Sequence, residues 1–139
     1  MIPKVSIGVE FIATEEDILK SVPKEVGASL TFLGIARASK EDGDIVELFY
    51  EAHEPMALKV FEDIRQKAIQ EFSLVDAYIY HKIGSVKVGE VSFFVLVLGS
   101  HRDEVYKGSR FIVDEVKKEA PIWKKEVFKD GSSKWVMGA

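Results

Sequence analysis

Residues 91–98 read Val-Ser-Phe-Phe-Val-Leu-Val-Leu. In an extended chain alternate side chains point to opposite sides, and here both sides are apolar. Such a segment belongs at the centre of a sheet, where neither face meets water. It is too short, and too interrupted by Ser92, to cross a bilayer. Gly99 and Ser100 end it, and the remaining elements must be arranged around this strand.

The flanking pattern predicts an α+β chain. Residues 5–12 read as a first strand, and Thr14 as the cap of a short helix reaching Val22. Its first turn carries Glu15, Glu16 and Asp17, which suit the helix dipole. Residues 28–36 form a second strand, and polar residues 39–44 a loop. Residues 45–52 alternate, with Val46, Leu48, Tyr50 and Ala52 on one face and Glu47 and Glu51 on the other. Glu54-Pro55 opens a helix on which Ala57, Val60, Phe61, Ile64, Ala68 and Phe72 share one side. Residues 75–83 are a strand closed by Gly84, and residues 86–89 a short turn or kinked strand. Ser100 is placed to cap the next helix, with Asp103 completing a capping box. Val105, Ser109, Ile112, Val113 and Val116 give that helix its packing stripe to about Glu119. Residues 122–128, a turn at Asp130-Gly131 and residues 134–137 form a closing hairpin. Strands and helices in this order indicate a single domain over residues 1–139, with a mixed or antiparallel sheet and about three helices.

Composition removes several chemistries. The 139 residues include no cysteine, so disulfides, thiolate metal sites and a cysteine nucleophile are excluded. Any sulfur chemistry must bring its sulfur from another molecule. A net charge of −4 argues against a general nucleic-acid surface. His53, His81 and His101 show no metal-ligand spacing, and nothing matches a phosphate-cradling glycine loop. No signal-peptide pattern follows Met1, so a soluble, cytoplasmic protein is expected.

The cations are concentrated in Lys117-Lys118-Glu119-Ala120-Pro121-Ile122-Trp123-Lys124-Lys125-Glu126. Proline stops the helix, and a strand follows. Lys117 shares a helical face with Tyr106, Arg110 and Val113, near the packing stripe, while Lys118 points about 100° away. On the strand Ile122, Lys124, Glu126 and Phe128 share one face, and Trp123, Lys125 and Val127 the other. A partly desolvated lysine loses its proton more readily and attracts anions more strongly. The same residues also fit a lysine-rich helix end followed by a charged edge strand. Arg37 at a strand end can grip phosphate with its fork of donors or simply be solvated. Ser100-His101-Arg102 opens a helix and fits either an anion site or an ordinary capped start. His81, inside a strand, reads as a packed or hydrogen-bonded structural histidine.

Five segments in order resemble the MoaE family, the large subunit of molybdopterin synthase. They are residues 27–37 (GASLTFLGIAR), 50–57 (YEAHEPMA), 81–90 (HKIGSVKVGE), 100–102 (SHR) and 120–126 (APIWKKE). They span nearly the whole chain, and the last is the most specific. The resemblance implies an α/β-hammerhead-like fold and a sulfurtransferase without a cofactor or metal of its own. Members convert cyclic pyranopterin monophosphate, precursor Z, into the molybdopterin dithiolene. The sulfur comes from a thiocarboxylate on the C-terminal Gly-Gly of a small ubiquitin-like carrier. Two large subunits form a homodimer inside a heterotetramer, and neither nucleic acid nor membrane takes part.

By motif, Lys117 and Lys124 match the family's active-site lysines. Arg37, His101 and Arg102 match positions that bind the pterin phosphate or nearby anions, the latter two in the pocket of a neighbouring protomer. Phe32 matches a pocket wall, and Glu126 an acid close to the second lysine. Many relatives carry Asn and His where this chain has Ala38 and Ser39, and some extend beyond the position of Ala139. Two other readings use the same residues. A phosphate- or pterin-binding module would need Arg37, His101 and Arg102 without the lysines. A scaffold would use the lysine block as a protein interface.

Overall fold

The computed structural model describes residues 1–38 and 44–138. Its elements run β1 (Val5–Gly8), α1 (Glu15–Leu19), β2 (Ala28–Ile35), β3 (Ile45–Ala52), α2 (Glu54–Phe72), β4 (Asp76–Lys82), β5 (Gly84–Lys87), β6 (Val91–Gly99), α3 (Arg102–Glu119), β7 (Ile122–Phe128) and β8 (Ser133–Met137). This is the expected α+β class with three helices among the described residues. The strands form two four-stranded sheets, ordered β1-β4-β6-β2 and β5-β3-β7-β8. The first is mixed, because β1 runs parallel to β4 while β4 and β2 are antiparallel to β6. The second is antiparallel throughout.

Strand β6 is central, and it meets a core on each side. Phe93, Val95 and Val97 join Ala77 and Ile79 in the larger core, together with Phe61 of α2, Ile112 of α3 and Leu48 and Ile122 of the second sheet. Phe94, Leu96 and Leu98 face the other way, onto Tyr78, Tyr80 and Ile18 of α1. Phe61 is fully buried, and truncating such a side chain to alanine costs about 3–5 kcal/mol.

Several local expectations change for identifiable reasons. β1 stops at Gly8 because its pairing partner β4 ends at Lys82, and Phe11 turns to pack on Phe94, with ring centroids 6.0 Å apart. Helix α1 has the Thr14–Asp17 capping box but ends at Leu19, burying only Ile18. Leu19, Val22 and Val26 still cover the smaller core. In β3 the ladder with β7 shifts between Ile45 and Glu47. Ile45 is therefore buried, whereas Val46 is exposed. The short turn or kinked strand expected at 86–89 is displaced towards the N-terminus: Gly84 opens strand β5, which ends at Lys87 and pairs with β3.

The cap of α3 is His101, not Ser100, and it makes no side-chain capping bond. Ser100 is pressed against Gly27, where an added Cβ would lie 2.3 Å from the Ser100 carbonyl oxygen. Gly27 N–H also donates to the Gly99 carbonyl at 2.9 Å. His101 is thereby left at the start of the helix, with Nδ1 3.3 Å from Glu104 Oε1. The loop expected over 39–44 lies, apart from Asp44, outside the described residues.

Candidate active site

A cavity of about 280 Å³ opens where the two sheets and the end of α3 meet. Its wall comes from Gly34, Ser92, Phe93 and His81 of the first sheet, Tyr50, Lys124 and Glu126 of the second, Lys117 of α3, and Arg37.

Each contribution has a local cause. Lys124 lies opposite Tyr50 and Glu126 opposite Leu48 in the β3–β7 ladder, so strand alternation sends all four to the cavity side. Lys125 takes the outer face, its ammonium 5.3 Å from the Phe49 ring and 5.5 Å from the Trp135 ring. Because β8 pairs along its other side, β7 is an interior strand and not an edge. On the first sheet Gly34 pairs with Phe93 but Ile35 with Val91. Ser92 is the extra residue of a bulge, a device that re-aims side chains. Ser92 and Phe93 consequently both line the cavity. Tyr50 donates to Ser92 Oγ at 3.4 Å, and the Ser92 hydroxyl reaches the Gly34 carbonyl at 3.5 Å.

Arg37 follows β2 and is held at the rim by its neighbour. Ala36 N–H donates to the Glu90 carbonyl at 2.9 Å, and the Ala36 carbonyl accepts from Gly89 N–H at 2.7 Å. Gly89 has φ of +94°, a conformation that side chains disfavour. Lys117 leaves the last turn of α3 and brings its ammonium to 5.9 Å from the centroid of Phe93.

The electrostatics are those of an anion site. Burial lowers the Lys117 pKa below the ordinary lysine value, and the charge of Lys124 lowers it further. Burial raises the Tyr50 pKa, against a smaller opposing effect of its Ser92 hydrogen bond, so the phenol stays protonated. Burial, with the charges of Lys117 and Lys124, pushes His81 down to about 4 despite its hydrogen bond to the Lys82 carbonyl. Three cations with one acid, Glu126, can therefore hold a phosphate or carboxylate and exchange protons with it.

A sequence model of the family described as MoaE protein matches residues 9–119. This chain belongs to the MoaE family. A molybdopterin synthase catalytic subunit of Pyrococcus abyssi is 40% identical over 124 residues, covering 89% of this chain and 83% of that protein. One of Bacillus subtilis is 35% identical over 122 residues, covering 87% and 77%. Against the Emericella nidulans protein, 37% identical over 109 residues, the match takes in 78% of this chain but only 56% of that longer relative. The crystal structure of molybdopterin synthase from Staphylococcus aureus superposes with a TM-score of 0.90 at 28% identity, covering 99% of each chain. A complex of subunits 1 and 2 of the molybdopterin-converting factor from Helicobacter pylori shares the fold, with a TM-score of 0.74 at 23% identity over 96% and 89% of the two chains.

Of the positions that the MoaE resemblance singles out, Lys117, Lys124, Arg37 and Glu126 converge on the cavity. Phe32 stands behind its wall, edge-on to Phe93 with centroids 5.9 Å apart, and lines a separate groove with Tyr106 and Arg110. His101 and Arg102 lie at the opposite end of β6. Gly99 lies six positions beyond Phe93, or roughly 20 Å of strand, so neither reaches the cavity of its own chain. His81, Tyr50 and Ser92 are wall residues that the segment comparison did not mark as site residues. The alternation of β4 could have found His81, which shares a face with Ala77 and Ile79.

Proposed function

We propose that this protein is the catalytic subunit of a cytoplasmic molybdopterin synthase, working as a homodimer inside a heterotetramer with a small ubiquitin-like sulfur carrier. The observation that carries this reading is the convergence of Arg37, Lys117 and Lys124 on one cavity. The names of the curated relatives support it, since each is the catalytic subunit of such a synthase. No helix among the described residues is long and apolar enough to cross a membrane.

Both reactants are anions, a cyclic phosphate ester and a thiocarboxylate. Bringing them together requires fixed positive charge in a site with little water. In this mechanism the thiocarboxylate sulfur forms a bond to an oxygen-bearing side-chain carbon of precursor Z as the carbon–oxygen bond there breaks, and the departing oxygen takes a proton from a lysine or remains on the phosphate. The cations hold the phosphate and stabilise the negative charge that develops on oxygen. Lys117, with its lowered pKa, and Lys124 give and take the protons of the displacement. Water then cleaves the acyl–sulfur bond, leaving sulfur on the pterin and a carboxylate on the carrier. A second carrier repeats the sequence at the neighbouring carbon. His101 and Arg102, too far from the cavity of their own chain, serve the cavity of the second large subunit.

The deciding experiment is reconstitution with precursor Z and a carrier bearing a C-terminal thiocarboxylate, with molybdopterin assayed as its fluorescent oxidation product. Product with wild type and little with Lys117→Ala or Lys124→Ala supports the synthase. Absence of product beside a working control synthase, with the carrier bound, favours a pterin-phosphate binding module instead.

A further inference from the structure

The reaction just described leaves His81 without a task, although its ring lines the cavity. β4 sends Ala77, Ile79 and His81 to one face. The first two are sealed in the core, and the third reaches the cavity at the strand end. The ring is only 2% exposed. Tyr50 meets it edge-on at 4.9 Å between centroids, and Phe93 lies at 5.3 Å.

The state of the ring follows from its one hydrogen bond. Nδ1 is 2.7 Å from the Lys82 carbonyl oxygen. A carbonyl only accepts, so Nδ1 must carry hydrogen and donate, and in the neutral ring the lone pair is left on Nε2. Flipping the ring would set carbon against that carbonyl and forfeit the bond. The ring stays neutral near pH 7, because burial and the two lysines hold its pKa near 4. Glu104 Oε2 is the sealed side-chain oxygen or nitrogen that lacks a partner among the described residues. With Nδ1 committed to the Lys82 carbonyl, Nε2 is the ring nitrogen available at the cavity wall that His81 lines.

The surrounding groups make this lone pair distinctive. Arg37, Lys117 and Lys124 can only donate while charged. The hydroxyl protons of Tyr50 and Ser92 are directed to Ser92 and to the Gly34 carbonyl, so neither is left to donate to a ligand. Glu126 on β7 is the charged acceptor of the same cavity, on the opposite sheet from His81. We infer that His81 Nε2 is an uncharged hydrogen-bond acceptor at the cavity floor that orients the substrate, taking an N–H or O–H of the pterin while the cationic rim holds the phosphate. This inference rests on the synthase reading for the identity of the ligand. It assigns His81 to substrate binding and specificity: a ligand offering phosphate alone gains the rim contacts and nothing from the floor.

The test compares His81→Phe, which keeps a flat ring without an acceptor, with His81→Gln, whose carbonyl oxygen can stand near the position of Nε2. The expected result is a rise of about tenfold in the dissociation constant and KM of precursor Z for H81F, as fits loss of one buried hydrogen bond. H81Q should recover most of that loss. Inorganic phosphate binding should stay near wild type in both. A measurement on the wild-type protein removes any dependence on variant folding. ¹⁵N NMR of the imidazole should show Nε2 unprotonated, shifting when precursor Z is added and not when inorganic phosphate is added. A protonated Nε2, an Nε2 signal indifferent to saturating precursor, or wild-type affinity in H81F overturns the inference. Wild-type protein that binds precursor with the Nε2 shift but never forms product defeats the synthase reading and leaves His81 as the acceptor. Turnover with a silent Nε2 defeats the inference alone, and no binding of precursor by wild type defeats both.

Discussion

Lys117 and Phe93 meet at the mouth of the cavity, with the ammonium 5.9 Å from the ring centroid. Helix α3 delivers the cation and β6 the ring, and Phe93 is buried. The aromatic surface takes the place of water on one side of the ammonium, so burial is the main cause of the lowered Lys117 pKa and the charge of Lys124 adds to it. Lys124→Gln should therefore raise the Lys117 pKa. Titration of ¹³C-labelled lysine side chains by NMR would read the change directly. An unchanged Lys117 titration would mean that the two ammonium groups do not sense each other.

Strand alternation puts Lys124 and Lys125 on opposite faces of β7. Lys125 lies on the outer face between Phe49 and Trp135, where each cation–π contact contributes about 0.5–1 kcal/mol. Lys125→Ala should lower stability by about 1 kcal/mol and leave product formation within about twofold of wild type. Lys124→Ala should do the reverse, reducing turnover by about a hundredfold or more with little change in melting temperature. Equal losses of turnover in the two variants would contradict the assignment of faces.

Asp76 and Arg65 form a largely buried ion pair away from the cavity. Arg65 is 8% exposed; it donates Nε to the Ala77 carbonyl at 2.8 Å and a guanidinium nitrogen to Asp76 Oδ1 at 2.6 Å. Lys4 pairs with the same carboxylate. Burial alone would raise the Asp76 pKa, but the hydrogen bonds from Lys4 and Arg65 outweigh it and hold the carboxyl below its ordinary value. Its contribution is present above the unfolded pKa and is lost as pH falls through the depressed folded value. Asp76→Ala leaves Arg65 buried with one partner fewer and should cost about 3 kcal/mol in urea denaturation at pH 7. Turnover of the folded fraction should be unchanged, because none of these residues lines the cavity.

His81 makes the fold sensitive to mild acid. Its pKa falls from 6.5 to about 4 on folding, so between those values the unfolded chain binds more protons than the folded one. The stability associated with the neutral ring is complete above pH 6.5 and decreases as pH falls towards 4. The total is roughly 3 kcal/mol, at 1.36 kcal/mol per unit. Urea melts at pH 7 and pH 4.5 should show a smaller acid loss in His81→Phe than in wild type. Parallel losses in the two proteins would place the acid sensitivity elsewhere.

Much of the candidate site was legible from local pattern. The parity of Lys124 and Glu126 on β7 follows from residue spacing alone, and so does the helical face that carries Lys117. The run over 91–98, apolar on both faces, announced a central strand. The start of α2 was readable at Glu54-Pro55, and His53 caps it, with Nδ1 accepting from Met56 N–H at 3.3 Å. Other features were not readable, because they depend on which strands pair. The bulge at Ser92 exists only through the ladder with β2. The exchange of Val46 for Ile45 as the buried residue exists only through the ladder with β7.

The sequence by itself determined the faces. It set which side chains share a side of each strand or helix, because periods of two and of about 3.6 residues are properties of a single segment. It also carried the family, through short segments whose order survives without coordinates. Only the tertiary structure decided which faces meet. It brought the end of α3 to the seam between two sheets and turned a packed histidine into part of a cavity wall. It also set His101 and Arg102 at the far end of β6. Hydrogen-bond register and core packing couple residues distant in sequence, and no local period encodes that coupling.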